Sequence, residues 1–284
     1  MPYSTSQISF SYAKEFFIFS TYFIKLSIMF LNSLFLNFFM SVRSNKREIE
    51  NVKNPISKTI IISVGGSLVV PNEINTNFLS LFKKLILNYV EKGFKFIIIV
   101  GGGKTARNYQ TAARELMKDL ISDNDLDWLG IHATRLNAHL LRTIFSDIAY
   151  KRVLENPNEK INFGKNKIIV AAGWKPGFST DYDAVLFAKT YNSKLVINLT
   201  NVDYVYDKNP KQFKDARPLK QISWKYYRQL VGDKWSPGLN APFDPVAARE
   251  AEKLGLTVYI INGKNLNSIE NALEGKDFIG TILK

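Results

Sequence analysis

Phe94-Lys95-Phe96-Ile97-Ile98-Ile99-Val100-Gly101-Gly102-Gly103-Lys104-Thr105-Ala106-Arg107 decides how this chain folds. A β-branched apolar run of this length predicts a buried strand, most often in a parallel sheet covered on both faces. It breaks into three glycines and then into a sequence of helical character. Glycines at a strand end let backbone N–H groups approach a ligand closely, and a helix N-terminus behind them adds positive potential. Lys104 and Arg107 add cationic donors. The stretch is suited to holding a phosphate. It is not a Walker A loop, because the glycine required five residues before Gly103 is Ile98. Gly101, Gly103 and Ala106 do satisfy the dinucleotide-fold spacing, but that fold next needs a strand ending in an acidic residue. Residues 108–126 are helical and then polar, which argues against it.

Working outward, Thr59 to Val64 predicts a first strand ending in Gly65-Gly66-Ser67, and Phe78 to Val90 a helix stopped by Gly93. With Phe96 to Val100 they make a right-handed βαβ unit, so both glycine turns lie on one sheet edge. A long helix is predicted over Gly130 to Val153, preceded by Asp127. His132 and His139 share one face of it, seven residues apart, a spacing that suits packing or solvent better than metal. Lys167 to Ala172 predicts a strand entering a third glycine-rich turn, Gly173 to Asp181, where Ser179, Thr180 or Asp181 caps the next helix. Leu195 to Leu199 is a strand, Ile222 to Val231 a short helix and Gly238 to Asp244 a loop. Asp244 caps a helix over Val246 to Leu254, with Pro245 at its first position. A strand over Thr257 to Ile261, a helix over Leu266 to Leu273 and a strand over Phe278 to Leu283 complete the chain.

The chain is 284 residues long and 46% hydrophobic, enough for one large or two small cores. It has no cysteine, which excludes disulfides and thiolate metal sites. The net charge of +13 suits anionic ligands, but the lysines are dispersed and accompany no nucleic-acid motif. Residues 1–55 differ from the rest. Phe16 to Met40 is rich in Phe, Leu and Ile, and its uncharged part, Leu26 to Val42, is at the lower limit for crossing a bilayer. Three readings stand: a weak membrane anchor, a membrane-surface segment, or an upstream extension with Met40 as the true initiator. Asn32 and Asn37 favour an extension over membrane contact through residues 16–42. Asn45 to Ser57 reads as a polar linker, so residues 1–55 are expected to be an extension and residues 56–284 the functional domain.

Six motifs fall into one order: Gly65-Gly66-Ser67, Gly101 to Arg107, Asp127 to Thr134, Gly177 to Asp181, Thr200-Asn201-Val202-Asp203 with Tyr206 and Pro210, and the helix at Asp244. In that order they resemble the amino-acid-kinase superfamily, most closely its uridylate kinases of archaeal type, over about Thr59 to Lys284. The resemblance implies a three-layer α/β/α sandwich with a mainly parallel central sheet. It implies phosphoryl transfer from Mg²⁺-ATP to UMP, giving UDP, in a cytoplasmic homo-oligomer, a hexamer. Gly66, Ser67, Gly103 and Arg107 map to the ATP phosphates, and Thr200, Asp203, Tyr206 and Asn209 to positions around its base and ribose. Gly102, Asp127, Thr134 and the loop Trp174, Lys175, Pro176, Gly177, Phe178, Ser179 and Thr180 map to UMP. Asp181 and Asp244 map to acidic positions near the phosphates; no metal site built from the protein alone is expected.

Three positions depart from the pattern. Ser63 stands where bacterial uridylate kinases carry a lysine, an absence the archaeal type shares. Lys104 or Lys175 is therefore expected to supply the missing charge. Tyr204 replaces a glycine, where a left-handed backbone would be costly, and Asn209 replaces an aspartate; both bear on recognition of the ATP base. The rival readings are a kinase of the same fold acting on carbamate, an acyl amino acid or isopentenyl phosphate, and a nucleotide-binding metal-storage protein.

Overall fold

The computed structural model describes residues 59–232 and 241–284, all within the compact unit Ile56–Lys284. The readings of residues 1–55 and of the start of the 238–244 loop lie outside the described residues. Nine strands are described: β1 Thr59–Val64, β2 Lys95–Val100, β3 Ile168–Ala171, β4 Leu195–Thr200, β5 Val205–Tyr206, β6 Pro218–Leu219, β7 Gln221–Ile222, β8 Thr257–Asn262 and β9 Thr281–Leu283. The described helices are α1 Gly66–Val69, α2 Thr76–Glu91, α3 Gly103–Met117, α4 Asp123–Ile144, α5 Thr180–Thr190, α6 Trp224–Val231, α7 Pro245–Lys253 and α8 Leu266–Leu273.

Seven strands form one sheet in the order β3-β2-β1-β4-β8-β9-β7, and β5 pairs with β6 separately. The first five in that order run parallel, with Ile62 opposite both Ile98 and Ile197, while β9 runs antiparallel to β8. Successive strand residues face opposite sides. Ile60, Ile62 and Ile98 pack with Phe82 and Ile86 of α2, Leu141 of α4 and Ile269 of α8. Ile61, Ile97 and Ile99 pack on the other face with Phe187 of α5, Tyr227 of α6 and Ala248 of α7. Burial on both faces explains why these strands are continuous apolar runs and not alternating ones. The result is the expected three-layer sandwich, and its five parallel strands all end at one edge.

Three expectations need correcting. The long helix runs over Asp123–Ile144 and not from Gly130 to Val153, so Asp127 lies inside it. Its start was legible: the Ser122 hydroxyl accepts the Asp125 N–H at 3.1 Å, and Asp123 and Asp125 complement the helix dipole. Its C-terminal part is lost because Ala149 and Leu154 instead bridge to β3 at Ile168 and Ala171. Ile222 belongs to β7, beside β9, and α6 begins at Trp224 behind the Ser223 cap. The final strand is shorter than Phe278 to Leu283, and the two-residue strands β5, β6 and β7 are too short to show a periodicity.

Candidate active site

The ends of β1, β2, β3 and β4 open into one cleft of about 600 Å³, lined in part by Gly66, Gly103, Asp127, Thr180, Thr200 and Asp244. Its floor is a crossing of two glycine turns. A Cβ on Gly66 would lie 2.0 Å from the Gly103 nitrogen, and one on Gly103 would lie 2.3 Å from the Gly66 oxygen. Gly103 also has φ +63°, which favours glycine. The crossing is tied in place by backbone bonds. Gly65 N–H donates to the Leu199 carbonyl at 2.8 Å, Gly101 N–H to Val64 at 2.9 Å, and Lys104 N–H to Val70 at 2.8 Å. From α4, the Asn137 amide donates to the carbonyls of Gly101 (2.9 Å) and Gly102 (3.1 Å). The N-terminus of α3 begins at Gly103, so its positive end is held at the cleft.

Two carboxyl groups line the same cleft, those of Asp181 and Asp244. Asp181 is in the first turn of α5, and Asp244 caps α7, accepting the Val246 N–H at 2.7 Å. Ser63 donates its hydroxyl to Asp181 Oδ1 at 3.0 Å, and the Asp244 N–H donates to Asp181 Oδ2 at 3.2 Å. Ser179, the cap of α5, donates its hydroxyl to Asp244. Burial pushes the Asp181 carboxyl up to about 7, and the charge of Asp244 pushes it the same way, against the two donors it accepts. Burial raises Asp244 as well, against the Ser179 hydroxyl and the backbone amides of Val246 and Ala247. Asp181 is therefore poised to change charge near neutrality.

The third wall is the loop between β3 and α5, anchored mainly by side chains. Thr134 accepts the Gly173 N–H at 2.8 Å while donating to the Ile131 carbonyl at 2.6 Å. Asp127 accepts the Gly177 N–H at 2.7 Å, at a glycine with φ +84°. Burial raises the Asp127 carboxyl, this N–H opposes the shift and Asp123 adds to it. The Arg135 guanidinium donates to the Trp174 carbonyl at 3.4 Å and pairs with Glu155 at 3.0 Å. Within the loop, Trp174 stacks on Phe178 with centroids 5.6 Å apart, and the Lys175 ammonium lies 4.2 Å from the Trp174 ring centre.

Of the residues singled out from sequence, Gly66, Ser67, Gly102, Gly103, Arg107, Asp127 and Thr134 line the cleft. So do Phe178, Ser179, Thr180, Asp181, Thr200 and Asp244. Lys104, Trp174, Lys175, Pro176, Gly177, Asp203, Tyr206 and Asn209 are not among its lining residues. Asp203 accepts the Asn262 amide at 2.8 Å, Tyr206 meets Tyr204 edge-on, and Asn209 accepts the Lys211 N–H at 3.0 Å. Among the described residues, only Lys118 and Asn192 combine a side chain with positive φ, so Tyr204 carries no left-handed strain. His132 and His139 are exposed on α4. Sequence reasoning read Ser63 only as the place of a missing lysine, and passed over Asn137, Asp183 and Asn198, whose amide donates to the Pro242 carbonyl at 2.8 Å. Their shared signal was available: each is a polar residue at a buried position of a strand or helix, which requires a partner.

The family model described as "Amino acid kinase family" matches residues 58–262. The chain is 36% identical over 228 residues to "Uridylate kinase" of Sulfurisphaera tokodaii, covering 79% of this chain and 98% of the relative. It is 35% identical over 224 residues to "Uridylate kinase" of Methanothermobacter thermautotrophicus, covering 78% and 97%. The crystal structure titled uridylate kinase from Archaeoglobus fulgidus superposes with a TM-score of 0.64 at 33% identity, covering 79% of this chain and 99% of that one.

Proposed function

The chain belongs to the amino acid kinase family, and we propose that it transfers the terminal phosphoryl group of ATP to UMP, giving UDP and ADP. The observation that carries this reading is the shared cleft. The crossed glycine turns at Gly66 and Gly103 lie on one hollow with the loop that ends in Phe178, Ser179 and Thr180. A donor and an acceptor can then meet head to head.

Phosphoryl transfer asks for little covalent work from the protein, so alignment and charge neutralisation dominate. The donor phosphates lie against Gly66, Ser67 and Gly103, where backbone amides and the start of α3 supply fixed positive potential. Thr200, Asp203, Tyr206 and Asn209 follow the donor's ribose and base. Gly102, Asp127, Thr134 and the loop from Trp174 to Thr180 hold the acceptor, with Asp127 accepting from a ribose hydroxyl. Its Oδ2 already takes the Gly177 N–H, so one carboxylate fixes both the loop and the sugar. An oxygen of the UMP phosphate attacks the γ-phosphorus, and the bond to the β-bridging oxygen breaks to release ADP. Arg107 lines the cleft and is the cation nearest this task, with Lys104 and Lys175 kept as candidates that move inward.

Mg²⁺ suits the residues present. Asp181 and Asp244 offer hard carboxylate oxygens already oriented by Ser63, Ser179 and backbone amides. Phosphates and water provide most ligands of this ion in such sites. When bound, it neutralises phosphate charge.

Leu116 of α3 and Leu120 in the turn that follows it are each 83% exposed, and Tyr109 of α3 and Leu136 of α4 are exposed as well. Large exposed apolar groups on neighbouring elements fit contact with a second copy. We assign this face to the homo-oligomer, with a hexamer as the assembly. No helix among the described residues is long and apolar enough to cross a membrane. ADP release measured with UMP, CMP, carbamate and isopentenyl phosphate tests the reading. Turnover should be fastest with UMP, and absence of ADP above background with UMP would overturn it.

A further inference from the structure

The chain leaving β3 exchanges its sheet partners one residue at a time. Ala172 N–H donates to the Leu154 carbonyl at 2.9 Å, Gly173 N–H to the Thr134 hydroxyl at 2.8 Å, and Trp174 N–H to Asp183 Oδ2 at 3.1 Å. The last acceptor is unusual. Asp183 lies in the first turn of α5, is 0% exposed, and its Oδ1 has no hydrogen-bond partner. The residues after it, Ala184 to Ala188, are apolar and buried, so packing alone calls for no acid here. A buried carboxyl with a single bond is costly unless it secures something.

Resting on the kinase reading above, we propose that Asp183 is a positioning residue that fixes the Trp174 amide and thereby aims the acceptor loop at the nucleoside monophosphate. The geometry is a clamp on the stretch around Trp174. Asp183 holds its N–H from α5, and Arg135 holds its carbonyl from α4 at 3.4 Å. Four residues later the same loop delivers Phe178, Ser179 and Thr180 to the cleft. Asp183 itself lines no part of the cleft, so it acts through the loop. An asparagine at this position also offers Trp174 an acceptor oxygen, and a valine does not.

Asp183→Val and Asp183→Asn, compared with the full-length protein, test the proposal by two independent readouts. In steady-state kinetics, Asp183→Val should raise the KM for UMP about tenfold while leaving that for ATP within about twofold, and Asp183→Asn should restore it. In hydrogen exchange without nucleotide, the peptide covering residues 173–179 should exchange faster in Asp183→Val and at the native rate in Asp183→Asn. An unchanged KM for UMP with unchanged exchange overturns the proposal. So does a parallel rise in both KM values with a lowered melting temperature, because that is the mark of mere destabilisation. If the parent protein releases no ADP with UMP, the kinase reading fails by itself. Exchange then still decides the clamp: loosening in the valine variant that asparagine cures supports it, and native exchange in both variants overturns it.

Discussion

The two sides of the cleft are built from different material. The floor at Gly66 and Gly103 is backbone against backbone, packed so closely that neither position has room for a single carbon. The loop from Gly173 to Ser179 is held mainly by borrowed side chains, Asp127, Thr134 and Arg135 from α4 and Asp183 from α5. A backbone crossing has one conformation and fails completely when it fails. A side-chain scaffold can be weakened one bond at a time, and each bond carries a limited share of the geometry. Damage to the floor should therefore be all-or-none, and damage to the loop graded and confined to the acceptor.

The largest effect tests the floor. Gly66→Ala places a methyl group 2.0 Å from the Gly103 nitrogen, and only a shift of one turn relieves it. Loss of the soluble fold, or a fall in turnover beyond about a hundredfold in whatever folds, is expected from phosphoryl assay and thermal melting. Near-normal turnover would break the contrast, because it would make the crossing pliable.

Next comes the pair of carboxyls between the two sides. Asp181→Asn should lower kcat about a hundredfold by removing a charge that orients the reacting phosphates. In the parent protein, kcat/KM should rise with pH through about 7 as free Asp181 ionises, and this limb should vanish in the variant. Stability should move the other way. A carboxyl raised from 3.8 to about 7 in the folded state leaves the native protein holding the extra proton between those values, so its contribution is full below 3.8 and lost as pH rises through 7. Asp181→Asn should accordingly melt higher than the parent at pH 8, with the gain shrinking towards pH 4.

The loop side is sharpened by Asp127→Ala. Loss of a carboxylate that accepts both the Gly177 N–H and a ribose hydroxyl should raise the KM for UMP about ten- to a hundredfold, with that for ATP within about twofold. Equal effects on both substrates would show that the loop does not serve the acceptor alone.

The same difference in material decided what could be read from the sequence. Glycines after apolar runs announce themselves, so the parallel strands, the shared edge and the floor of the cleft were legible from Gly65-Gly66-Ser67 and Gly101-Gly102-Gly103. Asp244 and Pro245 marked the start of α7 by cap chemistry alone. The loop's anchors were not legible in this way. Asp127 was singled out by resemblance but placed before its helix, and Asp183 was overlooked inside a run that otherwise reads as apolar core. A hydrogen bond between Trp174 and Asp183 depends on how β3 and α5 pack, which no local spacing encodes. Ser63 shows the same limit. It marks a missing lysine in the sequence, whereas in the fold it is the hydroxyl that holds Asp181.

The smallest expected effect decides where the missing cation is. Lys175 is exposed, and its ammonium lies 4.2 Å from the Trp174 ring centre and 5.1 Å from that of Phe178, a stacking role on the outside of the loop. Lys104 is half-buried and does not line the cleft, and of the three candidate cations only Arg107 does. If these positions persist with nucleotides bound, Lys175→Ala loses only a cation–π contact at an exposed site, about two- to fivefold in the KM for UMP. Arg107→Ala should then carry the fall in kcat. A hundredfold loss of kcat in Lys175→Ala, with Arg107→Ala mild, would reverse this order. It would mean that the side-chain-held loop swings its lysine onto the transferring phosphoryl group when the acceptor binds. The graded side of the cleft would then supply catalytic charge as well as position, and the division of labour between backbone floor and side-chain scaffold would no longer hold.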